Sequence, residues 1–208
     1  MQEFFQTQKG GYGEGDVFLG LTVPQVREIV KKYYQEISLK DTEELLHSNI
    51  HEHRLTALLI LVAKFNKSQD IEIIDLYERN FQYINNWDLV DASALYILGK
   101  WYYTRDRSKI YEWAMSTHLW TQRIAVLTTF YFIRQNDFST TLDLAKNLLD
   151  HPHHLIHKAV GWMLREIGKR DKSVLVDFLD KNYLSMPKIM LSYSLEKFSK
   201  EEQKKYKF

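Results

Sequence analysis

The chain has 208 residues and a mass of 24.9 kDa, enough for one sizeable core and too little for more than two small domains. Hydrophobic residues at 45% and charged residues at 26% exclude whole-chain disorder, and the absence of cysteine excludes disulfides, thiol nucleophiles and thiolate metal centres. The net charge of +1 hides a gradient: residues 1–99 carry 9 Lys/Arg against 15 Asp/Glu, and residues 100–208 carry 19 against 12, so only the second half suits an anionic partner.

Eight glycines and three prolines are too few for a turn-rich all-β chain. No apolar run approaches the length of a membrane span, and Met1-Gln2-Glu3 is not the basic start of a signal peptide, so a cytoplasmic protein with no membrane association is expected.

Residues 1–21 read as a loop segment. Its Lys9-Gly10-Gly11-Tyr12-Gly13-Glu14-Gly15-Asp16 stretch follows no strand and closes on no Gly-Lys-Ser/Thr, so it is a shaped loop and not a phosphate cradle. Thr22 then caps a helix with Pro24 in its first turn, running to about Ile37. From Asp41 onward apolar residues recur every three or four positions, the mark of helix. Longer helices are expected to begin near His51, Trp87, Leu119, Leu155 and Pro187. Shorter ones follow near Gln69, Asp106, Asp137, Asp171 and Ser199, and Asp106, Asp137 and Ser199 are natural caps. Residues 198–208 form a basic tail; Lys197, Lys200, Lys204, Lys205 and Lys207 read on their own as frayed and solvated.

The longer helices start 36, 32, 36 and 32 residues apart, a helix-pair spacing. Such pairs bury their apolar faces only by stacking. The expected fold is therefore all-α, a superhelical solenoid of HEAT-like helix-pair repeats in a single domain, 1–208, with a concave cationic face. An irregular helical bundle is the alternative.

The repeat also aligns polar positions. Arg54, Arg123 and Lys158 each precede an apolar run; Arg123 and Lys158 are 35 residues apart, and Arg54 and Arg123 are 69 apart. Asp91 holds the intervening place, 37 residues after Arg54 and 32 before Arg123. Trp87 precedes Asp91 by four residues and Trp162 follows Lys158 by four, so each pair shares a helical face. Arg165 is three beyond Trp162. Cations interleaved with aromatic rings suit a nucleic-acid backbone and its sugars. The plainer alternative places each tryptophan in the core and makes Arg123 a tie between repeats.

These residues carry a resemblance. Trp87-Asp88-Leu89-Val90-Asp91, Trp120-Thr121-Gln122-Arg123 and Lys158-Ala159-Val160-Gly161-Trp162-Met163-Leu164-Arg165-Glu166 resemble, in order and spacing, the successive signatures of the AlkD family of DNA alkylation-repair glycosylases. Gly15-Asp16-Val17-Phe18-Leu19-Gly20-Leu21-Thr22-Val23-Pro24 is similar to the segment that leads into that family's first repeats. The resemblance implies a concave face holding duplex DNA with alkylated bases. It also implies hydrolysis of the N-glycosidic bond of cationic alkylpurines, 7-methylguanine and 3-methyladenine, in base excision repair. Carried over by position, it makes Asp91 the catalytic acidic residue, Trp87 and Trp162 the site tryptophans and Arg123 the essential arginine, with Lys158 and Arg165 as phosphate contacts; Arg54 joins the expected nucleic-acid contacts from the repeat alignment. After Arg123 the helix reads Phe130-Tyr131-Phe132, poor in cations for a DNA-facing segment, which implies either weaker binding or cations supplied by Arg134 and Lys158.

No metal site and no cofactor is expected. His151, His153, His154 and His157 read as an exposed helix start, and His51-Glu52-His53 lacks zincin spacing. The expected state is a monomer. The rival function is a non-catalytic helical-repeat module that binds DNA or protein through the same face; the ordered set Trp87, Asp91, Arg123 and Trp162 favours the enzyme, because a phosphate-binding scaffold has no use for Asp91 among cations.

Overall fold

A computed structural model describes residues 4–206. Lys207 and the Met1–Glu3 start lie outside the described residues. The chain is all-α and divides into two compact units, one up to Trp101 and one from Tyr102.

In the first unit, α1 (Val23–Tyr33) begins where the Gln25 side chain accepts the Thr22 backbone N–H at 2.8 Å, with Pro24 in the first turn. It stops short of Ile37, on Lys31 and Lys32, whose charges suit a helix C-terminus. Ser38 caps α2 (Leu39–Leu46), accepting from the Asp41 N–H at 3.0 Å. The third helix, α3 (His51–Ser68), ends on Gln69 in the left-handed region at φ 49°. Asp70 then caps α4 (Ile71–Arg79). A 3₁₀ turn, Phe81–Tyr83, leads to α5 (Trp87–Ala94), which continues through a π-helical turn, Leu95–Gly99, into the short α6 (Lys100–Tyr102).

Helix α3 is the centre of this unit, packed by α1, α2 and α5. Leu58, Leu61, Phe65, Ile73, Ile74, Tyr77, Leu89 and Ile97 are all shut off from solvent in its core. Such side chains contribute about 1.5–3 kcal/mol each when fully buried. The glycine-rich segment is docked, not loose. His51 N–H donates to the Val17 carbonyl at 2.9 Å and Val17 N–H to the Asn49 carbonyl at 3.3 Å.

The second unit contains α7 (Ser108–Ala114), α8 (Leu119–Arg134), α9 (Ser139–Asn147), α10 (His154–Gly168) and α11 (Lys172–Asn182). After a 3₁₀ turn, Tyr183–Ser185, come α12 (Lys188–Ser194) and α13 (Lys200–Lys204). Asp171 caps α11 and Ser199 caps α13; Asp106 and Asp137 each take the N–H of the residue two ahead, just before α7 and α9. Helix α10 is the hub, packed by α8, α9, α11 and α12. Gly161 makes its approach to α12 possible: a Cβ there would lie 2.5 Å from the Met190 carbonyl oxygen and 2.7 Å from Tyr193 Cβ.

The helices expected near His51, Trp87, Leu119, Leu155 and Pro187 begin at His51, Trp87, Leu119, His154 and Lys188, but the last, α12, is not a longer helix: its 7 residues are fewer than those of α4, α9 and α11. The basic tail differs from its frayed reading. Ser199 starts a further helix, Lys204 pairs with Glu201 at 2.7 Å, Lys205 with Asp180 at 2.6 Å, and Tyr206 is buried.

Candidate functional site

In the first unit the expected site residues lie on α5. Asn86 starts it, its side-chain oxygen accepting the Trp87 N–H at 2.9 Å. Trp87 and Asp91 are both half-buried and one turn apart. The Trp87 ring stacks on Phe5 at 5.4 Å and meets Phe4 edge-on at 5.8 Å, and its indole N–H donates to the Tyr12 hydroxyl at 3.3 Å. One face of the tryptophan is therefore already occupied by the N-terminal segment. Asp91 lies within electrostatic reach of the buried Tyr77. Burial pushes that phenol far above its ordinary range, the Ser93 hydrogen bond opposes this, and the charge of Asp91 adds to it.

Arg54 differs from its expected role. It is only 3% exposed, and its guanidinium donates to Asp16 Oδ1 at 2.6 Å and to the Ser48 carbonyl at 2.8 Å. The cation is turned inward onto an acid 38 residues earlier, where no phosphate reaches it. Asp16 is held by four groups: Arg54, His51 at 3.1 Å, and Asn85 and Asn86 at 3.4 Å each. Burial alone would raise the Asp16 pKa, but its donors keep it below the ordinary carboxylate value.

Beside this, Glu52 accepts three successive backbone N–H groups, from Leu19 at 2.9 Å, Gly20 at 2.8 Å and Leu21 at 3.2 Å. Gly20 stands at φ 88°, a conformation that lets the backbone curl round one carboxylate and that L side chains resist.

In the second unit Arg123 lies on α8, 5% exposed, and its Nη1 donates to the Leu155 carbonyl in the first turn of α10 at 2.8 Å. It thus ties two helices, and a bidentate grip on an outside phosphate is not the geometry present. Trp162 on α10 is half-buried, edge-on to Phe130 at 5.5 Å, and donates to Glu166 at 3.2 Å. The core alternative therefore describes neither site tryptophan fully.

Arg165 departs from the phosphate-contact expectation: it is ion-paired to Glu166 at 3.4 Å and to Glu196. Lys158 is half-exposed, and among the described residues no hydrogen bond or ion pair holds it. Of the three expected DNA contacts it alone keeps an uncompensated charge. Arg134 packs its guanidinium over the Phe130 ring at 4.6 Å.

The histidines near Pro152 are half-buried, not an exposed helix start. His153 Nδ1 accepts the Leu155 N–H at 3.2 Å, His151 Nε2 meets Gln122 at 2.9 Å, and His157 bonds the His151 carbonyl. Burial lowers the pKa of His151, His153 and His154. Among the described residues no group of three His, Asp or Glu side chains is placed to hold a metal ion. None of the described helices is long and apolar enough to cross a membrane.

Sequence reasoning missed Asp16, His51 and Asp88. The neighbours of His51 in sequence carry no signal of its partners, which lie 35 residues before it and 37 after.

The chain is an all-helical protein with a tryptophan and an aspartate one turn apart at a capped helix start. The sequence model described as DNA alkylation repair enzyme matches residues 1–198, and the chain belongs to that family. Among solved structures, a predicted DNA alkylation repair enzyme from Enterococcus faecalis is similar at 15% identity, covering 96% of this chain and 93% of that one with a TM-score of 0.73. AlkD2 from Streptococcus mutans is similar at 18% identity, covering 96% and 95%, with a TM-score of 0.63. The smu.31 protein from Streptococcus mutans UA159 is similar at 19% identity, covering 85% and 92%, also at 0.63. At these identities the likeness is one of fold. No curated protein sequence matches the chain significantly.

Proposed function

We propose that this enzyme is a DNA glycosylase that hydrolyses the N-glycosidic bond of cationic alkylated purines, 7-methylguanine and 3-methyladenine, in duplex DNA. The observation that carries the reading is the pair Trp87 and Asp91, one turn apart and both half-buried on α5, in a chain of the DNA alkylation repair family.

An alkylated purine carries a positive ring and is already a good leaving group. The glycosidic electron pair moves onto that ring and neutralises it, while the sugar becomes oxocarbenium-like. Water bonds to the anomeric carbon and one proton passes to solvent. Asp91, ionised, stabilises the cationic sugar and orients the water. Trp87 in the first unit offers a ring face or edge to deoxyribose and to developing positive charge, and Trp162 in the second is suited to the same kind of contact. Lys158 supplies a phosphate contact. Arg123 fixes the first turn of the helix that carries Lys158 and Trp162, and Arg165 keeps Glu166, the acceptor of the Trp162 indole, neutralised. This scheme needs no metal and no cofactor.

The test is release of 7-methylguanine from alkylated duplex by the full chain, with Asp91→Asn as control. The expected result is release that Asp91→Asn loses while duplex affinity holds or rises, since removing a negative charge near phosphates does not weaken binding. Equal release by both proteins would remove Asp91 from the chemistry. No release by either, with salt-sensitive duplex binding intact, would make the chain a non-catalytic DNA-binding repeat module.

A further inference from the structure

His51 opens α3 at 2% exposure, and both of its ring nitrogens face carboxylates: Nδ1 lies 3.1 Å from Asp16 and Nε2 2.8 Å from Asp88. A neutral imidazole has one N–H, so only the imidazolium donates to both. The ring packs against Phe18, stacked at 4.5 Å, and against Phe5, tilted at 5.1 Å. The charged groups around it are Asp16 from the glycine-rich segment, Asp88 from α5, and Arg54 from its own helix, acting through Asp16. The adjacent Glu52 is turned to the backbone of Leu19, Gly20 and Leu21. Two carboxylates and two cations balance, and loss of the His51 proton leaves a buried net negative charge, which is costly.

The network ends on the first turn of α5. Asp88 directly follows Trp87, and its second oxygen accepts the Leu89 N–H at 2.9 Å. Asp16 reaches the same turn through Asn86, the residue that caps Trp87. Asp91 is one turn further along.

We propose that His51 is a positioning residue whose imidazolium, clamped between Asp16 and Asp88, fixes the start of α5 and thereby sets Trp87 and Asp91. Burial pulls its pKa down, but the two carboxylates outweigh this and hold it at about 9. The folded value lies above the ordinary 6.5, so the clamp is complete below that pH and is lost as pH rises through about 9. The catalytic consequence rests on the glycosylase reading; the clamp itself does not.

The experiment has two arms on the full chain, with His51→Gln and Asp88→Asn as variants. In the first, nitrogen-edited NMR follows the His51 ring and the Trp87 indole N–H from about pH 6 to about pH 10, spanning the ordinary and shifted values. Both ring nitrogens should be protonated at neutral pH. The indole signal should move with loss of the His51 proton, and Asp88→Asn should lower that shared midpoint by about one unit or more. A neutral His51 at neutral pH, or an indole signal that stays still while His51 titrates, would overturn the proposal.

In the second arm, single-turnover base release should show an alkaline limb at the same midpoint, displaced in Asp88→Asn. His51→Gln should slow release about 10- to 100-fold at neutral pH with duplex affinity nearly unchanged, the size expected when reacting groups are misplaced by about an ångström. Release by His51→Gln at the wild-type rate would also overturn it. Absence of release by the wild type sinks the glycosylase reading alone, and the NMR arm then decides the clamp. If His51→Gln fails to fold, the displaced midpoint in Asp88→Asn decides it.

Discussion

Arg123 on α8 donates to the carbonyl of Leu155 on α10 across 2.8 Å, from a side chain almost wholly out of solvent. A buried guanidinium at a helix's first turn acts on everything that helix carries, here Lys158 and Trp162. Removing it deletes a charge-assisted bond and leaves a void. Arg123→Ala should therefore lose about 2–4 kcal/mol of stability in urea unfolding. A variant as stable as the wild type would show that the side chain spends its time in solvent and is free for phosphate.

Two of the cations expected on DNA, Lys158 and Arg165, should separate in a salt titration. Lys158→Gln should lower the slope of log affinity against log salt by about 0.9, the value for one phosphate contact on B-form duplex. Arg165→Gln should change that slope little, because its charge is already met by Glu166 and Glu196. The opposite order would mean that those glutamates release Arg165 when DNA binds.

Glu52 holds the glycine-rich segment by three backbone N–H groups. Burial would raise its pKa, yet these bonds bring it below the ordinary 4.5. A lowered value means stability that is present above the unfolded pKa and is lost as pH falls through the folded one. Glu52→Gln should thus cost about 1–3 kcal/mol at neutral pH and flatten the acid limb of the stability curve below about pH 4.5. An unchanged acid limb would show that another carboxylate sets it.

The helix starts were legible because the physics that sets them is local. His51, Trp87 and Leu119 begin helices where the apolar period begins, and Asp171 and Ser199 cap from their own side chains. The placement of the candidate pair Trp87 and Asp91 one turn apart was legible for the same reason, since a separation of four residues fixes a shared face. The direction taken by the basic side chains was not. A flexible arginine beside an apolar run can reach outward or fold back, and the acid that decides lies in another element: Asp16 for Arg54, Glu196 for Arg165.

The sequence by itself determined the all-α class, the helix spacing, the lack of thiol chemistry and the order of the family's motifs, all properties of residues within a turn or two of one another. Tertiary structure alone decided which charges are spent inside the protein. It turned Arg54 inward, tied Arg123 to Leu155, left Lys158 uncompensated and placed a histidine between two carboxylates. Pairings across 30 or more residues follow from how helices pack, and in a buried site of low dielectric the nearest opposite charge outweighs any preference written along the chain.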